Sequence, residues 1–152
     1  GAGALVSCGM NSDDGPPVTE QLADLKASWP NSLMATLGIE LGEVSGERVT
    51  ATMPVTPRHH QPHGIMHGGA SVALAETVAS VGATVALRHE NQRVVGLEIN
   101  ANHVGAVRSG TVTATGTPIH KGRSTQVWAV EIRDDGGRLV CVSRCTLAVL
   151  DG

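Results

Sequence analysis

Aromatic residues are almost absent from this 152-residue chain, which contains no phenylalanine, no tyrosine and only two tryptophans. Proteins that bind single-stranded nucleic acids stack the bases on aromatic side chains, and this chain lacks the residues for such a platform. It also lacks a cluster of lysine and arginine, and its formal net charge is -3, so the electrostatic footprint of a nucleic-acid-binding protein is missing. We therefore expect a small molecule or a second copy of the chain as the partner, and no nucleic acid.

Cysteines are few and show no disulfide-like spacing. The chain has three, an odd number, which fits a reducing compartment, so we expect a cytoplasmic protein. Cys141 and Cys145 lie four residues apart in a strand-like segment and should face the same side of it. We interpret both as small core residues.

The length of the chain is that of about one domain, enough to bury a core without disulfides or metal. We predict a single domain over residues 18–152. Residues 1–17 are predicted to be a flexible N-terminal segment, and the part before Met10 is interpreted as a remnant of expression cloning.

The hydrophobic pattern predicts helices first and strands afterwards. In residues 18–28 the apolar side chains recur at helical spacing. In residues 38–55 apolar and polar residues alternate on both sides of "SGE", which is typical of a hairpin, and residues 68–87 form a long apolar segment. Four strand-like segments follow at 93–104, 109–122, 123–134 and 137–150, with a turn at "DDGG". One long helix followed by a meander of strands predicts an α+β fold, in which the helix packs across an antiparallel sheet.

The long apolar segment "GGASVALAETVASVGATVAL" carries a single charge, Glu76. A membrane-spanning helix is the alternative, but several hydroxyl side chains and a carboxylate in mid-segment would make insertion costly, so we expect no membrane. A helix that is apolar or small on every side should instead be buried within the domain. Burying an unpaired carboxylate costs several kcal/mol, which favours a functional role for Glu76.

Four histidines and two glycines crowd the loop "HHQPHGIMHGG", residues 59–69. A metal site is the first alternative, but Pro62 and Gly64 break the helix that would place two histidines on one face. We favour a site without metal, in which free N–H groups at the start of the Gly68 helix polarise a carbonyl oxygen and Gln61 adds a donor. For Gln61 or His67 taken alone, ordinary hydrogen bonding within the loop is the simpler interpretation.

Three segments resemble the hotdog-fold acyl-CoA thioesterases: "HQPHGIMHGGASVALAETVAS", "VVGLEINANHV" and "PIHKGRSTQVW". The similarity is to the branch that contains 1,4-dihydroxy-2-naphthoyl-CoA hydrolase and the enterobactin proofreading thioesterase, related to a 4-hydroxybenzoyl-CoA thioesterase. It runs from about Leu33 to Leu150. The resemblance implies a hotdog fold, a long central helix wrapped by an antiparallel β-sheet, and a reaction that needs no metal or cofactor.

The resemblance also implies a role for each site residue. Glu76 would be the catalytic carboxylate, as general base or nucleophile, and Gly68 would donate its N–H to the thioester carbonyl. Gln61 and His67 would orient the substrate, and Ser80, one helical turn after Glu76, would hold the attacking water. The residues implied in CoA binding are Gly96, His103, His120, Lys121, Gly122, Arg123, Ser124 and Thr125.

Two positions depart from the family pattern. His63 occupies a site that is often apolar or aromatic in relatives, which alters the acyl pocket, and Gly105 replaces a basic residue that would contact phosphate. Without the resemblance, "HKGRS" would be interpreted as a polar turn between strands.

The expected function is hydrolysis of an acyl-CoA, with aryl-CoA favoured and 1,4-dihydroxy-2-naphthoyl-CoA as a candidate. One alternative is hydrolysis of carrier-protein thioesters instead of CoA esters. A second is a hotdog dehydratase or hydratase, but the residues around Glu76 disfavour this activity. A third is a non-catalytic protein that binds acyl-CoA.

The distance between Gly68 and Glu76 predicts an active site built from two subunits. Eight residues of helix separate their backbones by roughly 12 Å, too far for both groups to reach one thioester carbon. Two helices packed antiparallel about a two-fold axis would bring them together. We therefore predict a homodimer with shared active sites, and the resemblance implies a homotetramer.

Overall fold

The computed structural model describes residues 18–152, with side chains from residue 23 onward. The predictions for residues 1–17, including the remnant before Met10, lie outside the described residues. Within the described part the chain forms three α-helices and six β-strands: α1 Val18–Ser28, α2 Leu33–Leu37, β1 Glu40–Val44, β2 Val49–Pro54, α3 Gly68–Val85, β3 Gln92–His103, β4 Thr111–Lys121, β5 Thr125–Arg133 and β6 Leu139–Asp151. Each predicted helix and strand is present, and the turn after β5 has Gly137 at a φ of 81°.

The six strands form one antiparallel sheet in the order β1-β2-β4-β5-β6-β3. The predicted hairpin is β1 and β2, and β4, β5 and β6 form the predicted meander. The expectation that β3 continues this meander was wrong. β3 pairs with β6 at the far edge of the sheet, from Gln92 opposite Asp151 to His103 opposite Cys141, and the chain then crosses to β4, which pairs with β2.

The sheet wraps around α3, as predicted. Ten of its 18 residues are buried, and it contacts all six strands. By length and composition α3 could cross a membrane, with a mean hydropathy of 1.2, but its packing is that of a core helix. Aliphatic side chains fill the space around it with the fully buried Trp128, and Cys141 and Cys145 belong to the same core.

One stripe of α3 is only partly buried by the sheet. Its residues recur at helical spacing and include Ala73, Glu76, Ser80 and Thr84, all partly buried. The N-terminal helices α1 and α2 contact α3 and supply part of the cover for this stripe. The start of α2 is capped by Ser32 and its end by Gly38 in the left-handed conformation, which suits glycine and returns the chain to the sheet.

Candidate active site

The histidine loop positions the start of α3. His67 is the N-cap, and its Nδ1 accepts a hydrogen bond from the Gly69 N–H at 2.7 Å. Its own N–H donates to the carbonyl of His59 at 2.7 Å. Since Nδ1 accepts, His67 holds its proton on Nε2 when neutral. The simpler interpretation of this residue, hydrogen bonding within the loop, therefore describes what the structure shows.

Two further histidines fasten the same loop to the body of the domain. His59 is buried; its Nδ1 lies 2.9 Å from Thr56 Oγ1, and its Nε2 lies 2.7 Å from the carbonyl oxygen of Leu37. His60 Nε2 lies 2.8 Å from the carbonyl oxygen of Arg108. Among the side chains that the structure describes, from residue 23 onward, no three His, Cys, Asp or Glu come together in the manner of a metal site. These side chains bind backbone carbonyls and hold the loop in place.

A cavity of about 370 Å³ opens at the N-terminus of α3 and is lined by Gln61, Gly68 and His103, with Ser71 at its wall. The Gly68 N–H, at the first position of the helix, has no acceptor among the described residues and is free to bind an oxygen. A Cβ on Gly68 would lie 2.7 Å from His103 Nε2, so the imidazole packs closely against the start of the helix and would have to shift to admit a larger residue. The Gln61 side-chain oxygen accepts a hydrogen bond from the His63 N–H.

Glu76 lines a different cavity of about 330 Å³ on the partly buried stripe of α3. The other lining side chains are aliphatic or hydroxyl-bearing and include Leu33 and Met34 of α2 and Ser80 of α3. The carboxylate reaches towards β3, where a Cβ on Gly96 would overlap Glu76 Oε1. The ladder between β3 and β6 is irregular at this point, between Gly96 and Glu98. A single negative charge therefore lies in an otherwise uncharged wall.

The buried thiols of the core, of which Cys145 lies near Glu76, are poor nucleophiles. Burial raises the pKa of the Cys145 thiol to about 12, and the negative charges of Glu76 and Glu98 add to the increase. Burial also raises the pKa of Cys141. Because a thiol must ionise before it attacks, Glu76 is the group near this cavity that can activate water or attack a carbonyl.

A third cavity, of about 170 Å³, contains part of the predicted CoA-binding turn: Lys121, Gly122 and Arg123. Lys121 Nζ is paired with Glu47. Gly122 donates its N–H to the Thr125 carbonyl at 2.8 Å, and a Cβ on Gly122 would overlap the ring of His120. The interpretation of this segment as a polar turn between two strands therefore describes its backbone, and Arg123 remains open to the solvent.

The predicted site residues thus fall into three places in one chain. Gln61, Gly68 and His103 share the first cavity, Glu76 and Ser80 line the second beside Gly96, and residues 121–123 line the third. His120, Ser124 and Thr125 complete the turn, and the Ser124 carbonyl accepts the Val149 N–H. Sequence reasoning missed Arg88 and His89, which follow α3 and line the third cavity; each is an isolated polar residue without a motif.

Comparison with known proteins agrees with a fold in which a long helix is wrapped by an antiparallel sheet and carries one carboxylate. The family model of the thioesterase superfamily matches residues 63–141, more than half of the chain. The 1,4-dihydroxy-2-naphthoyl-CoA hydrolase of Escherichia coli is 46% identical over 129 residues, which cover 85% of this chain and 94% of that protein. The hydrolase of the same name from Listeria monocytogenes is 48% identical over 117 residues, covering 77% and 94%.

Among solved structures, a thioesterase from Haemophilus influenzae is similar with a TM-score of 0.80 and 49% identity, covering 86% of this chain and 90% of that one. The fold is therefore the hotdog fold. The chain belongs to the thioesterase superfamily and is a thioester hydrolase.

Proposed function

We propose that the protein hydrolyses acyl-CoA thioesters in the cytoplasm, with a preference for aryl-CoA esters and with 1,4-dihydroxy-2-naphthoyl-CoA as the first substrate to test. The observation that carries the proposal is the position of Glu76 in the wall of an otherwise uncharged cavity. Such a cavity accepts the acyl group, and the carboxylate stands where a reacting carbonyl would enter. The relatives named 1,4-dihydroxy-2-naphthoyl-CoA hydrolase support this choice of substrate.

Glu76 has two possible roles in the reaction. As a general base it removes a proton from water while the water oxygen attacks the thioester carbonyl. As a nucleophile its own oxygen attacks, and water then opens the resulting anhydride. In both cases the carbon–sulfur bond breaks, the CoA thiolate takes up a proton, and the free acid is released. Ser80 lines the cavity beside Glu76, where its hydroxyl can orient the water.

The other half of the reaction is stabilisation of the oxyanion, which we assign to the Gly68 N–H with Gln61 and His67 at the start of α3. Donors aimed at the developing negative charge typically account for about 10²–10³ in rate. His67 acts mainly through its cap, which fixes the first turn of the helix. His103, packed against Gly68, lines the path to this donor.

We further propose that each active site combines Glu76 of one copy with Gly68 of another, in a homodimer that pairs into a homotetramer. The two groups line separate cavities of a single chain, and eight residues of helix separate them by roughly 12 Å. β3 offers an edge for a second copy, because it lies at the end of the sheet and exposes 43% of Val95 and 61% of Leu97. Exposed apolar strands at a sheet edge favour pairing with another strand.

The catalytic assignment is tested with Glu76→Gln, which keeps the size of the side chain and removes the base or nucleophile. We expect a folded protein whose kcat falls by roughly 10³-fold or more on naphthoyl-CoA and benzoyl-CoA esters. Glu131→Gln is the matched control, since this exposed carboxylate only pairs with Arg133. Turnover near that of the wild type in folded Glu76→Gln would contradict the assignment, and faster turnover of carrier-protein thioesters than of CoA esters would move the proposal to those substrates.

The shared site is tested by mixing subunits. In this scheme a Glu76→Gln protein and a protein that carries both Gln61→Ala and His67→Ala are each strongly impaired. A mixed dimer contains one site in which all three side chains are intact. Activity should therefore rise well above that of either parent after subunit exchange, which native mass spectrometry can follow. Proven exchange without recovered activity would place both groups in one chain.

A further inference from the structure

The third cavity brings together basic side chains from two separate parts of the chain. Arg88 and His89 enter from the segment that follows α3, and Arg123 enters from the turn between β4 and β5. Residues 88 and 123 are 35 positions apart, so only the fold brings them to one cavity. We propose that Arg88, assisted by His89, forms with Arg123 a binding site for the phosphate groups attached to the pantetheine arm of the substrate. This inference rests on the proposed function.

The two guanidinium groups at this cavity are not neutralised by the protein. Neither Arg88 nor Arg123 forms an ion pair or side-chain hydrogen bond with the side chains described, those of residues 23–152, whereas Lys121 is paired with Glu47. Of the acidic residues nearby, Asp151 accepts a hydrogen bond from Gln92 Nε2 at 3.2 Å. Unpaired guanidinium groups bind phosphate through paired N–H donors, so a phosphate ester is the ligand that fits them.

The end of α3 also reaches this cavity, and its free carbonyl groups would repel an anion. The protein occupies the carbonyls of residues 82, 83 and 84 itself. Gln126 Nε2 donates a hydrogen bond to the Ala83 carbonyl at 3.1 Å. The Ala86 N–H donates to the Gly82 carbonyl at 3.0 Å, and the Leu87 N–H donates to the Thr84 carbonyl at 3.2 Å. Among the described residues that line this cavity none is acidic, and the exposed Glu90, next to His89 in the chain, is not part of the lining.

The position of the cavity relative to Glu76 fits the length of the substrate. Ten residues of α3 separate Glu76 from Ala86, which is roughly 15 Å along the helix. On the neighbouring strand, four residues separate Gly96, beside Glu76, from Gln92 at the cavity, which is roughly 13 Å. An extended pantetheine arm spans such a distance between its thioester and its phosphate.

The test compares thioesters of one acyl group on three carriers: CoA, 4′-phosphopantetheine and pantetheine without phosphate. With Arg88→Ala, we expect KM for the CoA ester to rise about 10-fold with kcat unchanged, and the kinetics of the pantetheine ester to stay as in the wild type. A similar rise for the phosphopantetheine ester locates the first phosphate at this site, and a rise for the CoA ester alone locates the nucleotide phosphates there.

Two control variants separate charge from folding. Arg88→Lys keeps the positive charge and should restore most of the affinity, while Arg133→Ala removes an exposed arginine at the opposite end of β5 and should change nothing. The proposal is overturned if Arg88→Ala leaves KM for the CoA ester unchanged, raises KM equally for the pantetheine ester, or lowers kcat alone. If the wild type hydrolyses none of the three esters, the proposed function fails. Calorimetry with free CoA then tests the phosphate site by itself, because the proposal requires Arg88→Ala to bind CoA about 10-fold more weakly than the wild type.

Discussion

Replacement of Gly96 by alanine should disable the enzyme while leaving its fold almost unchanged. The new Cβ would overlap Glu76 Oε1, the end of a flexible side chain that can rotate away. Gly96 is not among the glycines with positive φ, so alanine can adopt its backbone conformation. The expected change in the free energy of unfolding is therefore within about 1 kcal/mol.

The effect on catalysis follows from how far the carboxylate must move. Ordinary van der Waals contact with the new methyl group requires a displacement of about 1 Å, and a misplacement of that size in an active site can cost about 100-fold in rate. We therefore expect kcat on an acyl-CoA ester to fall by about 100-fold, with the midpoint of thermal unfolding nearly unchanged.

The assay is steady-state release of free CoA thiol, with circular dichroism as the check on folding. Gly136→Ala is the matched control, because the nearest atom to its Cβ would be Asp134 Oδ1 at an ordinary 3.5 Å. Wild-type kcat in Gly96→Ala would refute the reasoning that this glycine makes room for the active carboxylate. Loss of the fold would refute the claim that only the Glu76 side chain responds.

The remaining predictions concern the core. Gly82→Ala should lower the free energy of unfolding by about 2 kcal/mol in chemical denaturation, because its Cβ would lie 2.5 Å and 2.9 Å from ring carbons of the buried Trp128, and this overpacking outweighs the gain in helix propensity; a more stable variant would contradict it. Cys145, with its pKa raised to about 12, should resist iodoacetamide at pH 8 in the native protein and react in urea, as read by peptide mass spectrometry. Since the pKa is raised in the folded state, the stability due to this protonated thiol should decline as the pH rises from about 9 towards about 12; rapid native labelling at pH 8 would count against both statements.

Local patterns were sufficient to predict the elements of the fold. The apolar character of α3 and the alternation within each strand are properties of neighbouring residues, so the sequence alone indicates them. The position of β3 beside β6 depends on pairing between segments some 50 residues apart, which periodicity does not encode. The predicted place of β3 in the meander was wrong for that reason, whereas β4, β5 and β6 follow it.

The candidate site divides in the same way. Glu76 could be selected because it is the one charge in an apolar helix, a signal visible in the sequence. Gly96 was expected only from the resemblance, and the structure supplies the physical reason, a close approach by the Glu76 carboxylate. Arg88 and His89 carry no local pattern, and their relation to Arg123 exists only in three dimensions.

The scarcity of aromatic residues gives this protein an unusually simple fluorescence spectrum. With no tyrosine, all intrinsic emission comes from Trp29 and Trp128. Trp128 is fully buried in the sheet-wrapped core, with its Nε1 donating to Gln126. Trp29 lies between α1 and α2, where its Nε1 donates to the Ile39 carbonyl at 3.1 Å. Trp128 therefore reports on the core, and Trp29 reports on the N-terminal helices that cover the Glu76 cavity. A single Trp128→Phe replacement would leave Trp29 as a fluorescence probe of those helices alone.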